Sequence, residues 1–436
     1  MLYSHVIDGA LDDKIGKVGL PRAVLDRELA RASVALDKIR RWREDGTLPL
    51  LRLPVARDDL AQLRPHADRF ARFEHVVVMG MGGSSLSGKA LVALKDQGFG
   101  PAKGRPKVWF MDNVDPATYA ELTSRLPLER TGIIPISKSG GTPETIAQFY
   151  AVLEGMEAML GKAAGDRVIA ITEATDNPLR RWASRLGATI LDHDPRIGGR
   201  YSALSLVGML PAMIAGVDCV SVREGAASVL DPALAANDAR NLAPAIGAAL
   251  SVGLAQQRGI NVTVLMPYVD RLETFAFWYR QIWAESLGKD GKGITPIRAL
   301  GTVDQHSQLQ LYLAGPRDKM FTLITGACVG EGRSLPPDLA GDRDLAYLGG
   351  RRMGDLLDAE QRATAVTLAR NGRPTRVMHL EAVDARAIGA LMMHFMLETI
   401  IAAHLLDVDA FDQPAVEEGK VLARQYLAES ARRAAQ

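Results

Sequence analysis

Residues 134 to 145 read Ile-Pro-Ile-Ser-Lys-Ser-Gly-Gly-Thr-Pro-Glu-Thr. A short apolar run, Gly132 to Ile136, stops at small hydroxylated and glycine residues, and an amphipathic segment, Glu144 to Leu160, follows. That order predicts a strand, a tight loop and a helix start. Ser137, Lys138, Ser139, Thr142 and Thr145 put four hydroxyls and one ammonium into nine residues. Gly140 and Gly141 leave backbone N–H groups open to a ligand. A helix N-terminus behind such a loop attracts anions. The stretch reads as a cradle for a phosphate monoester, and equally as an ordinary Ser/Gly turn capping a helix.

A second loop bears on that choice. Residues 74 to 90 read Glu-His-Val-Val-Val-Met-Gly-Met-Gly-Gly-Ser-Ser-Leu-Ser-Gly-Lys-Ala. A buried strand, His75 to Met79, runs into Gly80, Gly82, Gly83 and Ser84. Two such strand-loop-helix units suggest one parallel sheet, with both loops at the carboxyl ends of its strands, where open α/β sheets bind ligands. A dinucleotide fingerprint would need glycine at position 85, which is Ser, although Asp112 mimics its ribose-binding acid. A P-loop matches Gly83 to Lys89, but Ala90 lacks the magnesium-binding hydroxyl.

Composition bounds the rest. The 436 residues suffice for two domains. Lys plus Arg number 52 and Asp plus Glu 51, so the net charge of +1 gives no global field for nucleic acid or an anionic membrane. Any anion binding must be local. Cys219 and Cys328 stand in apolar surroundings without a disulfide framework, which points to a reducing, cytoplasmic compartment. Met1 to Leu20 carries Asp8, Asp12, Asp13 and Lys14 and does not read as a signal peptide. The apolar stretch Ile388 to Leu406, interrupted by His394, Glu398 and His404, reads as a buried helix rather than a membrane span.

The chain divides into a helical segment over 1–55, an α/β domain over 56–220, a second over 221–410 and a helical tail over 411–436. In the first domain the expected strands are His75 to Met79, Lys107 to Met111, Gly132 to Ile136, Arg167 to Thr172 and Ala188 to Leu191. The Ala-rich stretch Ser221 to Leu242 breaks this rhythm. Beyond it, strands are expected at Val262 to Met266, Met320 to Thr325 and Arg376 to Leu380. The Gly-, Pro- and Asp-rich segment Gly330 to Gly354 is a poor core candidate.

Residues 280 to 289 read Arg-Gln-Ile-Trp-Ala-Glu-Ser-Leu-Gly-Lys. Gln281 and Glu285 share a helix face, and Gly288 marks the helix end. Glu285 would lie toward the negative end of the helix, a setting that suits a proton acceptor. An isolated helical Glu also reads as a solvated surface carboxylate. His306 sits beside Asp304 and Gln305, two neighbours able to fix its tautomer. Arg200 follows Gly198 and Gly199, and Lys420 lies on a helix start after Pro414. Taken singly, each of these cations reads as a surface charge.

Together these segments resemble, in order, the phosphoglucose isomerase family of the sugar-isomerase (SIS) fold. Met79 to Ser84 is similar to its G-x-G-G-S loop, and Ser137 to Thr145 to its S-K-[ST]-x-x-T-x-E-T phosphate loop. Gly198 to Ser202 resembles G-G-R-[FY]-S, and Gln281 with Glu285 to Lys289 resembles Q-x-x-x-E-S-N-G-K. Gly301 to His306 resembles G-T-N-G-Q-H, and Phe411 to Lys420 resembles F-D-Q-x-G-V-E-x-G-K. The resemblance implies an α/β fold of two SIS-type three-layer domains, parallel sheets flanked by helices. It implies an aldose–ketose isomerase acting on glucose 6-phosphate and fructose 6-phosphate through a cis-enediol, with no cofactor and no metal.

In that scheme Glu285 is the base, and Arg200 stabilises the enediolate. His306 and Lys420 serve ring opening. Ser84, Ser137, Lys138, Ser139, Thr142 and Thr145 hold the phosphate. Gly83, Gln281 and Gln413 meet the sugar, and Glu144 supports the histidine. The family also implies a homodimer in which the histidine comes from the partner. The long apolar stretches at 262–283 and 388–406 suit a large interface. Departures from the family pattern stand at Leu287, Val303, Asp304, Pro414 and Ala415, with Gly140 and Gly141 in the phosphate loop. They leave every titrating residue in place but bear on substrate breadth. Acceptance of mannose 6-phosphate is one alternative. A non-catalytic sugar-phosphate sensor is another, though a sensor has no use for Glu285, His306, Arg200 and Lys420 together.

Overall fold

A computed structural model describes residues 2–434. The five apolar runs of the first half form parallel strands. Those at 75–79, 131–135 and 169–172 are covered on both faces and need no polar side, while those at 107–111 and 189–192 are only partly covered. Strand β1, Tyr3–Val6, belongs elsewhere; the first sheet starts at β2, His75–Met79. It continues with β3, Lys107–Met111, and β4, Thr131–Pro135, in the order β3-β2-β4. β5, Ile169–Thr172, pairs in parallel with β6, Thr189–Asp192, and parallel bridges Ile133–Val168 and Ile136–Ile171 join that pair to β4. Alternate residues feed two layers. Val77, Met79 and Ile133 pack on Phe149, Val152 and Met156 of helix Pro143–Leu160. Val76, Val78, Ile134 and Ile136 face the main core, which includes Leu91 and Leu210. Strand order reverses at β2, so the loops after β2 and β4 flank a switch-point crevice.

The second sheet contains β7, Val262–Pro267; β8, Thr295–Arg298; β9, Lys319–Gly326; and β10, Thr375–Leu380. Its order is β1-β10-β9-β7-β8. The expected strands are present, their ends moved by a residue or two. Two strands depart from the sequence reading. β8 has no counterpart in it, and the segment 1–55 is not wholly helical, because Tyr3–Val6 adds an antiparallel edge to β10. What fixes that edge is distant in sequence. The Tyr3 hydroxyl donates to His394 Nδ1 at 2.6 Å, and His394 Nε2 meets Glu398 Oε2 at 2.8 Å. Since a carboxylate only accepts, the ring proton sits on Nε2. Arg376 adds two N–H bonds to the same carboxylate, at 3.0 and 2.7 Å. Burial pushes Glu398 upward, but the guanidinium and the His394 bond outweigh it and bring its pKa down to about 2. Desolvation holds His394 below the usual histidine value, so it stays neutral.

Helix Ala385–Leu406 has the length and apolarity of a membrane span, yet 94% of its apolar window is buried inside the protein. It is the central core helix, packed on helices Cys219–Ala235 and Ala243–Arg258. The segment 330–354 is largely exposed, with two short 3-10 turns. Both cysteines are free thiols.

Candidate active site

The phosphate-loop candidate lies after β4 and starts helix Pro143–Leu160, with Thr142 at the N-cap position and Pro143 first in the helix. Ser137 Oγ and Thr142 Oγ1 are 2.8 Å apart, and Thr142 N–H also donates to Ser137 Oγ at 3.3 Å. Gly141 N–H leans on Ser139 Oγ at 3.4 Å. Thr145 is buried, and its Oγ1 lacks a hydrogen-bond partner. Gly140 has φ +65°, and a Cβ there would lie 1.8 Å from Asn177 Oδ1, so only glycine fits the turn. Lys138 departs from a simple phosphate-binding role. Its Nζ donates to Pro195 O at 2.5 Å, with Glu173 Oε1 at 3.9 Å. The ammonium thus ties the loop to the segment leading into Gly198–Arg200. Glu144 sits half-buried in the first helical turn.

The loop after β2 turns into helix Gly83–Val92, with Ser84 in its first turn. A Cβ on Gly83 would lie 1.9 Å from Gly199 O and 2.8 Å from Arg200 N. The two glycine loops therefore touch backbone to backbone, and this contact places Arg200. Asp112 accepts from Ser85 Oγ and Lys89 Nζ, each at 3.0 Å. The would-be ribose acid and the P-loop-like lysine are thus paired with each other, and Gly88 lies inside the helix.

Arg200 is buried, and all five of its N–H donors are engaged. Nε donates to Ser286 Oγ at 2.9 Å, and Nη2 to Ala410 O at 2.7 Å and Asp412 O at 2.9 Å. Nη1 donates to Gln413 Oε1 and reaches Glu285 Oε2 at 3.5 Å. Glu285 stands in the last turn of helix Glu273–Leu287 with its side chain about one-third exposed, and Gln281 Nε2 donates to its Oε2 at 3.3 Å. Gln281 Oε1 is buried without a partner. Glu285, Lys289 and Gln413 open on a cavity of about 830 Å³. A carboxylate, a guanidinium and two amides converge here.

Two predicted residues stand apart. His306 is exposed on helix Gly301–Ser307 and does not line the cavity on which Glu285 opens. The expected tautomer partners are occupied elsewhere. Asp304 accepts from Leu300 N–H at 2.6 Å, Ser307 Oγ at 2.7 Å and Gln308 Nε2 at 2.7 Å. Gln305 Oε1 accepts from Tyr268 and Thr364 hydroxyls at 2.9 and 2.8 Å. Asp304 caps its own helix and Gln305 faces the sheet end, so neither holds the histidine. Lys420 lies on the exposed helix Glu417–Ala434, paired at 2.6 Å with Glu417. Ser286, absent from the sequence reading, accepts from Arg200 and lies 3.0 Å from the Tyr201 hydroxyl. Its position between Glu285 and Gly288 is the signal that points to it. Among the described residues no group of three or more His, Cys, Asp or Glu is placed to hold a metal ion.

The family model described as "Phosphoglucose isomerase" matches residues 66–308 and 356–435. A probable glucose-6-phosphate isomerase of Haloquadratum walsbyi is 39% identical, covering 94% of this chain and 91% of its own. The glucose-6-phosphate isomerase of Rubrobacter xylanophilus is 38% identical over 85% of this chain and 87% of its own. Among solved structures, a hypothetical protein of Thermus thermophilus superposes with TM-score 0.85 and 32% identity, covering 98% of this chain and 100% of that one. A glucose-6-phosphate isomerase from Chlamydia trachomatis shares the fold with TM-score 0.76 at 23% identity, over 86% of this chain and 74% of that one.

Proposed function

The chain belongs to the phosphoglucose isomerase family, and we propose from that premise that it interconverts glucose 6-phosphate and fructose 6-phosphate. The observation that carries this reading is the meeting of Glu285, Arg200, Gln281 and Gln413, with Gln281 against the glycine loop after β2. The phosphate binds at 137–145 and the helix start. Glu285 removes the proton from one of C1 or C2 and returns it to the other. The Arg200 guanidinium, held rigidly, meets the charge that grows on the enediolate oxygens. For that, a substrate oxygen takes over the Nη1 donor now given to Gln413 Oε1, and the freed amide turns to a sugar hydroxyl.

Ring opening needs an acid–base pair that one chain does not bring to this cleft. Two chains complete it in this reading. His306 reaches from the partner, and the helix bearing Lys420 settles on the assembled dimer. Val303 is 61% exposed beside His306, and Val421, Tyr426 and Leu427 are exposed beyond Lys420, which supports cover by a second copy. The two free cysteines fit a cytoplasmic setting.

The test is purified, EDTA-treated protein with fructose 6-phosphate, glucose 6-phosphate being read by a coupled dehydrogenase. Conversion is expected without metal or nucleotide, and free fructose should react very poorly. Folded protein that leaves the ketose phosphate unchanged defeats the reading.

A further inference from the structure

Lys289 lies just beyond the glutamate helix, and its side chain is 9% exposed. Its Nζ donates to Ser286 O at 3.2 Å, to Asp409 O, and to Asp412 Oδ1 at 2.8 Å. An ammonium has three N–H donors, so these acceptors use them all and leave none for a ligand. Lys292, paired across the same short turn, donates to Asp407 O at 3.1 Å. The segment gripped in this way also carries Ala410 O, Asp412 O and the Gln413 amide, all of which hold Arg200. Arg200 and Lys289 therefore clasp 409–413 between them. Ser286 closes the loop, since its hydroxyl receives Arg200 Nε and its carbonyl receives Lys289.

We propose that Lys289 is a positioning residue for the isomerisation, docking segment 409–413 on the end of the glutamate helix and so setting Arg200 and Gln413 against Glu285. The proposal rests on the isomerase reading above. It assigns no substrate contact to Lys289. The phosphate cradle is built from other segments, β4 and helix Pro143–Leu160. Removing the clasp therefore disturbs turnover while leaving phosphate anchoring in place.

The experiment compares wild type, Lys289→Met and Lys289→Ala as purified full chains. It measures kcat, KM, the thermal midpoint and the inhibition constant of sorbitol 6-phosphate, a polyol that carries the phosphate but has no carbonyl to isomerise. A misplacement of order 1 Å costs about 10²-fold, so kcat of Lys289→Met should fall roughly 10–100-fold by that measure. The inhibition constant should stay within about threefold, since the cradle keeps its own helix N-terminus. In Lys289→Ala, ethylammonium should restore part of kcat, and tetramethylammonium at equal ionic strength should not, because it has no N–H. A Lys289→Met kcat close to wild type overturns the proposal. So does a parallel collapse of kcat and polyol affinity, or a Lys289→Ala enzyme indifferent to ethylammonium. Inactive wild type in the same assay is a different result, and it defeats the isomerase reading instead.

Discussion

Gly83→Ala tests whether backbone contact between two loops sets Arg200, the arginine proposed to stabilise the enediolate. The new Cβ would lie 1.9 Å from Gly199 O, whereas ordinary contact begins near 3.4 Å. The loops must therefore part by about 1.5 Å (3.4 − 1.9) unless both bend. Neither wall is a flexible side chain, since the clashing atoms are Gly199 O and C and Arg200 N. Arg200 cannot follow freely, because its guanidinium is held by Ser286, Ala410, Asp412 and Gln413. Overpacking of this kind costs about 1–3 kcal/mol, which predicts a thermal midpoint lower by several degrees at roughly 2–4 °C per kcal/mol. Displacing a catalytic group by about 1 Å costs on the order of 10²-fold, so kcat/KM should fall by about that factor. Gly199→Ala is the matched comparison, because its Cβ meets nothing within 4 Å and should leave the midpoint unchanged. Steady-state isomerase kinetics and calorimetry on both variants decide the matter. A Gly83→Ala enzyme with near-native kcat/KM would refute the claim that this contact positions Arg200.

Three further outcomes are expected. Glu285→Gln keeps the packing but cannot take a proton, so kcat should drop about 10²–10⁴-fold with little change in KM; near-native turnover would move the base elsewhere. Glu285→Gln and His306→Ala homodimers should each be nearly inactive, while verified mixed dimers regain up to half of wild-type activity, since one of their two sites carries neither lesion. Mixed dimers as inactive as the parents would confine both residues to one chain. Glu398→Gln leaves Arg376 buried without its charge partner and should cost about 3–5 kcal/mol at neutral pH. Because the Glu398 pKa is depressed from 4.5 to about 2, its contribution is present above pH 4.5 and fades as pH falls toward 2. His394, held neutral, adds acid sensitivity that begins below its ordinary 6.5. The stability gap between wild type and Glu398→Gln, followed by denaturant melts, should narrow through that acid range; a constant gap would contradict the linkage.

Sequence alone determined whatever is written in local period and residue type. The apolar runs at 75–79 and 132–136 read as strands, found at 75–79 and 131–135, and the glycine and hydroxyl crossings after them read as loops at the carboxyl ends of those strands. Glu285 and Gln281, four apart on a helix, necessarily shared a face. Spacing does not tell which distant backbone carbonyl a side chain will meet, since every residue offers the same carbonyl. Only the tertiary structure turned Lys138 toward Pro195, filled the donors of Arg200 and Lys289 from segment 409–413, and gave Asp304 to its own helix end rather than to His306. The same holds for Tyr3–Val6, a run too short to announce itself. It becomes a strand because β10 presents an open edge and His394, 391 residues away in the chain, receives the Tyr3 hydroxyl.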